Sequence, residues 1–264
     1  ARPLAALTAF AALTGLSVFA VFAPHALLST LLLLAACLLT TAAALEALPG
    51  ETGRAQGKRC RAMAKAMDFC ALYDRERGLF HIGFDEGAGR LSRAWYDLMA
   101  SESRLTSLVA VALGQVEAEH WFHLGRLLVP AGGGRALLSW SGTMFEYLMP
   151  VLFTGLVPGT LLHESCVNAL QAQIRYGQVQ GFPWGISESG YYAFDMRLNY
   201  QYRAFGLREV ALGGGARQSV VAPYASLLAL FFRCFFSSAI HVACALMLIL
   251  SIQMIHRMAM ETVT

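Results

Sequence analysis

Between Arg2 and Glu46 the chain carries no Asp, Glu, Lys or Arg, and His25 is the one basic side chain. Residues 4–23 form one apolar run, and residues 26–44 form a second, separated only by Pro24 and His25. About 20 apolar residues are what a helix needs to cross a hydrocarbon core. A signal peptide has a shorter apolar region, about 7–15 residues. Two full-length runs back to back predict a transmembrane helical hairpin over residues 1–47. A third apolar run, FFSSAIHVACALMLILSIQMI, lies between Arg233 and Arg257 and is also long enough to span. Residues 231–264 are therefore expected as an apolar, membrane-crossing C-terminal helix. Composition agrees, with 56% hydrophobic and 14% charged residues, against about 25% charged in soluble domains.

The basic residues beyond the hairpin set an expected orientation. Arg54, Lys58, Arg59, Arg61 and Lys65 follow one another with no acid among them. Such a cluster beside a membrane segment marks the cytoplasmic side. No aromatic side chain is interleaved with it, so it argues for a topology signal and a lipid bilayer partner rather than for nucleic acid. The net charge of +3 adds little. Six cysteines without paired spacing predict reduced thiols rather than disulfides.

Residues 48–62 contain Pro49, Gly50, Gly53 and Gly57 and read as a basic linker. Residues 63–230 read as one domain, mainly helical. Over 91–113, Trp95, Leu98, Met99, Leu105 and Val109 recur at helical spacing and predict a single amphipathic helix. Residues 144–148 and 160–176 read as further helices. PAGGGR at 130–135 and LGGGAR at 212–217 read as loops between helices, and neither is followed by the Lys-Ser or Lys-Thr of a phosphate-binding loop.

Two carboxylates stand out. Glu102 falls on the predicted apolar stripe of 91–113, where an unpaired charge is costly. It is either an ion-pair partner of Arg90, Arg93 or Arg104, or an acid kept protonated for proton transfer. Glu188 sits in GFPWGISESGYYAFD, between Gly185 and Gly190, and eight aromatic residues lie between Phe182 and Phe205 inclusive. It either braces a loop or belongs to a binding site. Two glutamates among aromatic rings are the parts a glycoside-cleaving site needs, because sugars lay apolar C–H faces on rings and turn hydroxyls to polar groups. Trp140, Trp184, Tyr191, Tyr192, Asn199 and Gln201 are candidate substrate contacts on that reading. Glu146 is a third acid that either touches substrate or braces the site. His120 and His123 have metal-like spacing but lack an HExxH pattern or a cysteine partner, so no metal and no cofactor is expected. No G-x-S-x-G nucleophile elbow is present.

The stretches MDFCALYDRERGLFHIGFD, YDLMASESRL, HWFHLGR, LLSWSGTMFEYLMP, PWGISESGYY and LNYQYRAFG, followed by VVAPYAS, together resemble the glucoamylase-like domain of bacterial cyclic β-1,2-glucan synthases. The resemblance covers about residues 67–229. It implies an all-α fold, a partial (α/α)6 toroid holding about the first half of such a domain and so truncated. It also implies a place in a multi-pass protein of the bacterial inner membrane, with the central domain cytoplasmic. The implied activity is retaining transglycosylation of β-1,2-glucan, with Glu188 as nucleophile and Glu102 as general acid/base, and other synthase domains or subunits as partners. The alternative is a non-catalytic remnant that binds glucan or associates with a complete synthase.

Overall fold

The computed structural model describes residues 38, 42–43, 45, 51–197, 200–213 and 220–234. The chain divides into two compact units, Ala1–Arg126 and Leu127–Thr264. The two expected membrane segments at the ends lie outside the described residues, apart from isolated positions. Among the described residues no helix is long and apolar enough to cross a membrane.

In the first unit, helix α1 (Glu51–Lys65) covers most of the stretch that its glycines suggested was a linker. Tolerating Gly53 and Gly57 there costs about 1 kcal/mol each relative to alanine. A 3-10 turn (Cys70–Leu72) leads into β1 (Tyr73–Asp74), which pairs with β2 (Leu79–His81). The link between them is set by Asp74, whose Oδ1 accepts the N–H groups of Glu76 and Arg77 at 3.0 and 3.1 Å. Gly78 closes the turn at φ 66°, a conformation that favours glycine. β3 (Phe84–Asp85) and β4 (Arg90–Leu91) form a small hairpin, and β5 (Trp95–Tyr96) adds antiparallel to β2. Helices α2 (Arg104–Ala112) and α3 (His120–His123) follow. Phe69, Leu72, Phe80, Ala110 and Val116 make the core, with Tyr73 and Tyr96 against it.

His120 is enclosed in this unit. Its Nδ1 lies 2.7 Å from the Gly78 carbonyl and its Nε2 2.7 Å from Ser107 Oγ, and the Tyr73 and Phe80 rings pack edge-on to it. The carbonyl can only accept, so Nδ1 carries the proton and Nε2 accepts from the serine. Burial holds the imidazole below its ordinary pKa, with the nearby His123 adding to the effect. A depressed histidine contributes stability above the unfolded-state value of about 6.5 and loses it as pH falls through the folded-state value. We expect Tm to fall as pH drops below about 6.5, and the fall to be smaller in His120→Gln; scanning calorimetry between pH 4 and 8 checks this.

The second unit begins with a hairpin, β6 (Leu128–Ala131) and β7 (Gly134–Leu137), in which Ala131 pairs with Gly134. The two turn residues, Gly132 and Gly133, have φ 62° and 98°, the positive values a two-residue hairpin turn demands. A Cβ on Gly132 would stand 2.1 Å from the Asn168 carbonyl, so this turn is also a close approach. Helices α4 (Met144–Leu148) and α5 (Val151–Thr154) precede the long α6 (Leu161–Gln180). Thr160 caps α6 by accepting from His163 N–H, and Gly181 ends it in the left-handed conformation. Strands β8 (Ser189–Phe194) and β9 (Tyr200–Arg203) form an antiparallel pair, and α7 (Pro223–Cys234) packs against α4 and α5. Met144, Tyr147, Leu148, Leu170, Ile186 and Phe205 are among its buried side chains.

The expectation of an all-α partial toroid is thus overturned, while the expected transmembrane segments at the two ends lie outside the described residues. Helices alternate with nine antiparallel strands among the described residues. The strands are two to six residues long, and alternation needs at least four residues to be legible. The predicted helix over 91–113 is the clearest case. Trp95 pairs with His81, Leu98 bridges to Gly125, and helix starts only at Arg104. Helical spacing of apolar residues arose here from strand and loop residues that share one core.

Candidate active-site residues in the two units

Glu102 lies in the turn that enters α2. Its carboxylate Oε2 accepts from Ser101 Oγ at 3.2 Å, and Ser103 Oγ stands 3.0 Å from Ser101 Oγ. Buried Arg104 donates from Nη1 to the Ser101 carbonyl at 3.0 Å. Burial pushes the Glu102 carboxyl above its ordinary pKa, and this outweighs its own N–H, Ser101 and the Arg104 charge, which pull the other way. The stripe that first drew attention to Glu102 is not a helix face, yet the desolvation inferred from it is present. Asp97, which sequence reasoning passed over, is raised by burial as well.

Glu188 belongs to the second unit and immediately precedes β8. The segment before it is pinned rather than loose. Buried Gln173 of α6 donates from Nε2 to the Ile186 carbonyl and accepts the Ile186 N–H, both at 2.9 Å. Ser187 is fully buried and its Oγ accepts from Phe145 N–H at 3.1 Å. Tyr224 Oη donates to the Glu188 main-chain carbonyl at 2.8 Å and stands 2.8 Å from Ser187 Oγ. Burial, reinforced by the charges of Glu188 and Glu146, pushes the Tyr224 phenol far above its ordinary pKa, so it remains a donor. Replacing Gln173 with alanine strands two buried main-chain groups, and each costs about 1–3 kcal/mol. We expect Gln173→Ala to lose about 2–4 kcal/mol in urea unfolding, with Gln173→Glu recovering part of the loss.

The Glu188 side chain is met at both oxygens. Tyr202 Oη donates to Oε2, and Thr143 Oγ1 reaches Oε1 at 3.4 Å. Thr143 also connects Glu188 to Glu146, whose Oε2 is 3.2 Å from the same hydroxyl. Glu146 is 4% exposed and acts as the third-position acid of a capping box at the start of α4. Its carboxylate further accepts from Ser139 Oγ at 3.0 Å, Ser141 N–H at 3.0 Å and Thr143 N–H at 2.8 Å. One buried carboxylate therefore organises residues 139–143. Gly142, at φ 74°, lets this loop lie against Leu207, and a Cβ on Gly206 would stand 2.0 Å from the Ser141 carbonyl.

The other candidates are dispersed around this core. Trp140 sits on the loop that Glu146 organises and is 37% exposed. Trp184 is half-buried, its Cβ side packed where Gly177 of α6 leaves room. The Tyr191 ring packs edge-on to Phe205 at 5.3 Å, and Gln201 pairs with Tyr191 across the β8–β9 ladder. Asn199 and the side chain of Tyr192 lie outside the described residues. Sequence reasoning missed Thr143, Gln173, Ser187 and Tyr224 as supports of Glu188. Thr143 and Glu146, three apart before an apolar run, carried a readable capping-box signal; the others are joined only by the fold. Among the described residues no group of three or more His, Cys, Asp or Glu side chains could hold a metal ion.

The fold places the chain among glucoamylase-like structures. It superposes on a putative glucoamylase from Bacteroides caccae ATCC 43185 with a TM-score of 0.55, at 14% identity, over 78% of this chain and 53% of that one. A stretch of 173 residues, 65% of the chain, is 49% identical to the cyclic β-(1,2)-glucan synthase NdvB of Rhizobium meliloti (strain 1021). The resemblance carried by the motifs therefore holds: the chain is similar to part of a cyclic β-1,2-glucan synthase and shares a glucoamylase-like fold. It spans about 6% of that synthase's length. No protein-family model matches the chain.

Proposed function

We propose that the chain carries a glucan-processing site that rearranges β-1,2-glucan by retaining transglycosylation. Glu188 is the nucleophile on this reading. Its carboxylate oxygen attacks the anomeric carbon of a glucosyl unit while the bond to the leaving oxygen breaks, and that oxygen takes the proton of Glu102. A glucan hydroxyl then attacks the same carbon, gives its proton back to Glu102 and releases Glu188. Closing a ring or shortening a chain differs only in which hydroxyl, or water, performs the second step.

The observation that carries the reading is the setting of Glu188: a carboxylate met by hydroxyls at both oxygens, on a segment fixed by Gln173, Ser187 and Tyr224. Preorganised polar groups around a reacting carboxylate need no rearrangement during reaction. The raised Glu102 carboxyl supports the acid role, since a proton donor must be protonated at the working pH. Trp140 and Tyr224, each 37% exposed, offer ring surface for sugar faces. The synthase likeness supplies the substrate class, β-1,2-glucan.

The purified full chain incubated with linear β-1,2-glucan is expected to give cyclic or shortened products by mass spectrometry. Absence of product at high protein concentration overturns the reading, and glucan binding without turnover would leave a binding protein in its place.

A further inference from the structure

Tyr202 stands on β9 directly opposite Gly190 of β8, within a register fixed by Ser189 against Arg203 and Tyr191 against Gln201. Side chains along a strand repeat every two residues, so Glu188 and Gly190 share a direction, and long side chains reach diagonal neighbours across a pair. The Tyr202 phenol takes that diagonal and donates to Glu188 Oε2. Opposite it, Thr143 Oγ1 has a single proton to give and two carboxylates to give it to, Glu188 Oε1 at 3.4 Å and Glu146 Oε2 at 3.2 Å. Glu146, Tyr202 and Tyr224 are the titratable groups that these contacts bring around Glu188.

A donor on an ionised carboxylate favours the charged form and fixes the plane of the group. We propose that Tyr202 is the positioning residue of this site: its hydroxyl keeps Glu188 ionised and sets its orientation toward the glucan. The inference rests on the reading of Glu188 as the reacting carboxylate. Thr143 has the secondary place, because its proton is divided between two acceptors.

Tyr202→Phe keeps the ring and removes only the donor. A hydrogen bond to a charged group is worth about 1.5–3 kcal/mol, so kcat is expected to fall about 10–100-fold with KM nearly unchanged. The acidic limb of the pH–rate profile should move up by about one unit. A tyrosine that merely fills space would change stability and leave that limb in place. Substituting 3-fluorotyrosine at 202, which preserves shape and alters donor strength, should shift the limb without loss of fold. A readout independent of turnover is carbodiimide coupling at Glu188, followed by peptide mass spectrometry across pH, whose midpoint should rise by about one unit in Tyr202→Phe. If Glu188→Gln keeps full turnover, the functional reading fails. If Glu188→Gln is inactive, or the chain has no turnover, an unmoved coupling midpoint in Tyr202→Phe overturns the positioning role.

Discussion

Glu188→Gln is expected to lower turnover on β-1,2-glucan by at least about 10³-fold, and Glu102→Gln by about 10²–10⁴-fold. On the proposed reading the first removes the nucleophile and leaves an amide that cannot form the glycosyl ester. The second, on the same reading, removes the proton that the leaving oxygen needs. The two variants should differ in stability. Burial raises the Glu102 pKa, and a raised carboxyl contributes stability below its unfolded-state value, about 4.3, that is lost as pH rises through the folded-state value. Above that window the buried carboxyl is therefore a cost that glutamine removes. Glu102→Gln should gain on the order of 1 kcal/mol, about 2–4 °C in Tm, while losing activity. Glu188→Gln should gain nothing comparable, because its amide must face the hydroxyls that the carboxylate accepts from. Differential scanning calorimetry beside the glucan assay checks both halves. A Glu102→Gln variant that is less stable than the parent would show that the carboxylate serves the fold rather than the chemistry.

The largest effect on stability is expected at Glu146. Its carboxylate accepts from Ser139 Oγ, Ser141 N–H and Thr143 N–H in a site that water hardly reaches. Hydroxyls can turn to other acceptors, but the two main-chain amides cannot. Glu146→Ala leaves both unsatisfied, and we expect a loss of about 3 kcal/mol or more, seen as a fall of about 6–12 °C in Tm. Glu146→Gln is no safe substitute, since one end of the amide would present N–H groups to N–H and O–H donors. The damage should reach the site, because the same carboxylate holds the loop bearing Trp140 and the hydroxyl of Thr143 that touches Glu188. Activity measured well below the lowered Tm should therefore fall too. A variant that keeps the parental Tm would contradict the view of Glu146 as the organiser of residues 139–143.

The likeness to the synthases was more legible in this sequence than the architecture. Glu102 and Glu188 could be singled out because a carboxylate among apolar or aromatic residues has few ordinary explanations, and both lie in stretches whose pattern resembles the synthases'. The reasons were only partly right. Glu102 is desolvated by turn and core packing rather than by a helix stripe, and Glu188 stands at the head of a strand pair where a loop was expected. The helices over 144–148 and from 160 onward were readable, the latter because threonine and glycine mark its two ends. The strands were not. Pairs such as Tyr73–Asp74 and Trp95–Tyr96 are too short to alternate, and their pairing depends on partners that local pattern does not name. The Gly132–Gly133 hairpin was the exception that could have been read, since two adjacent glycines between short apolar stretches suit a two-residue turn. Gln173 and Tyr224 were invisible for the same physical reason as the strands: each supports Glu188 from another element, through hydrogen bonds that only tertiary packing creates.

The central proposal is that Glu188 is the carboxylate that reacts with glucan, and a crystal structure of Glu188→Gln with a linear β-1,2-glucan tests it most directly. The expected result is a glucosyl unit with its anomeric carbon next to residue 188. Glucan bound away from residue 188 would contradict it.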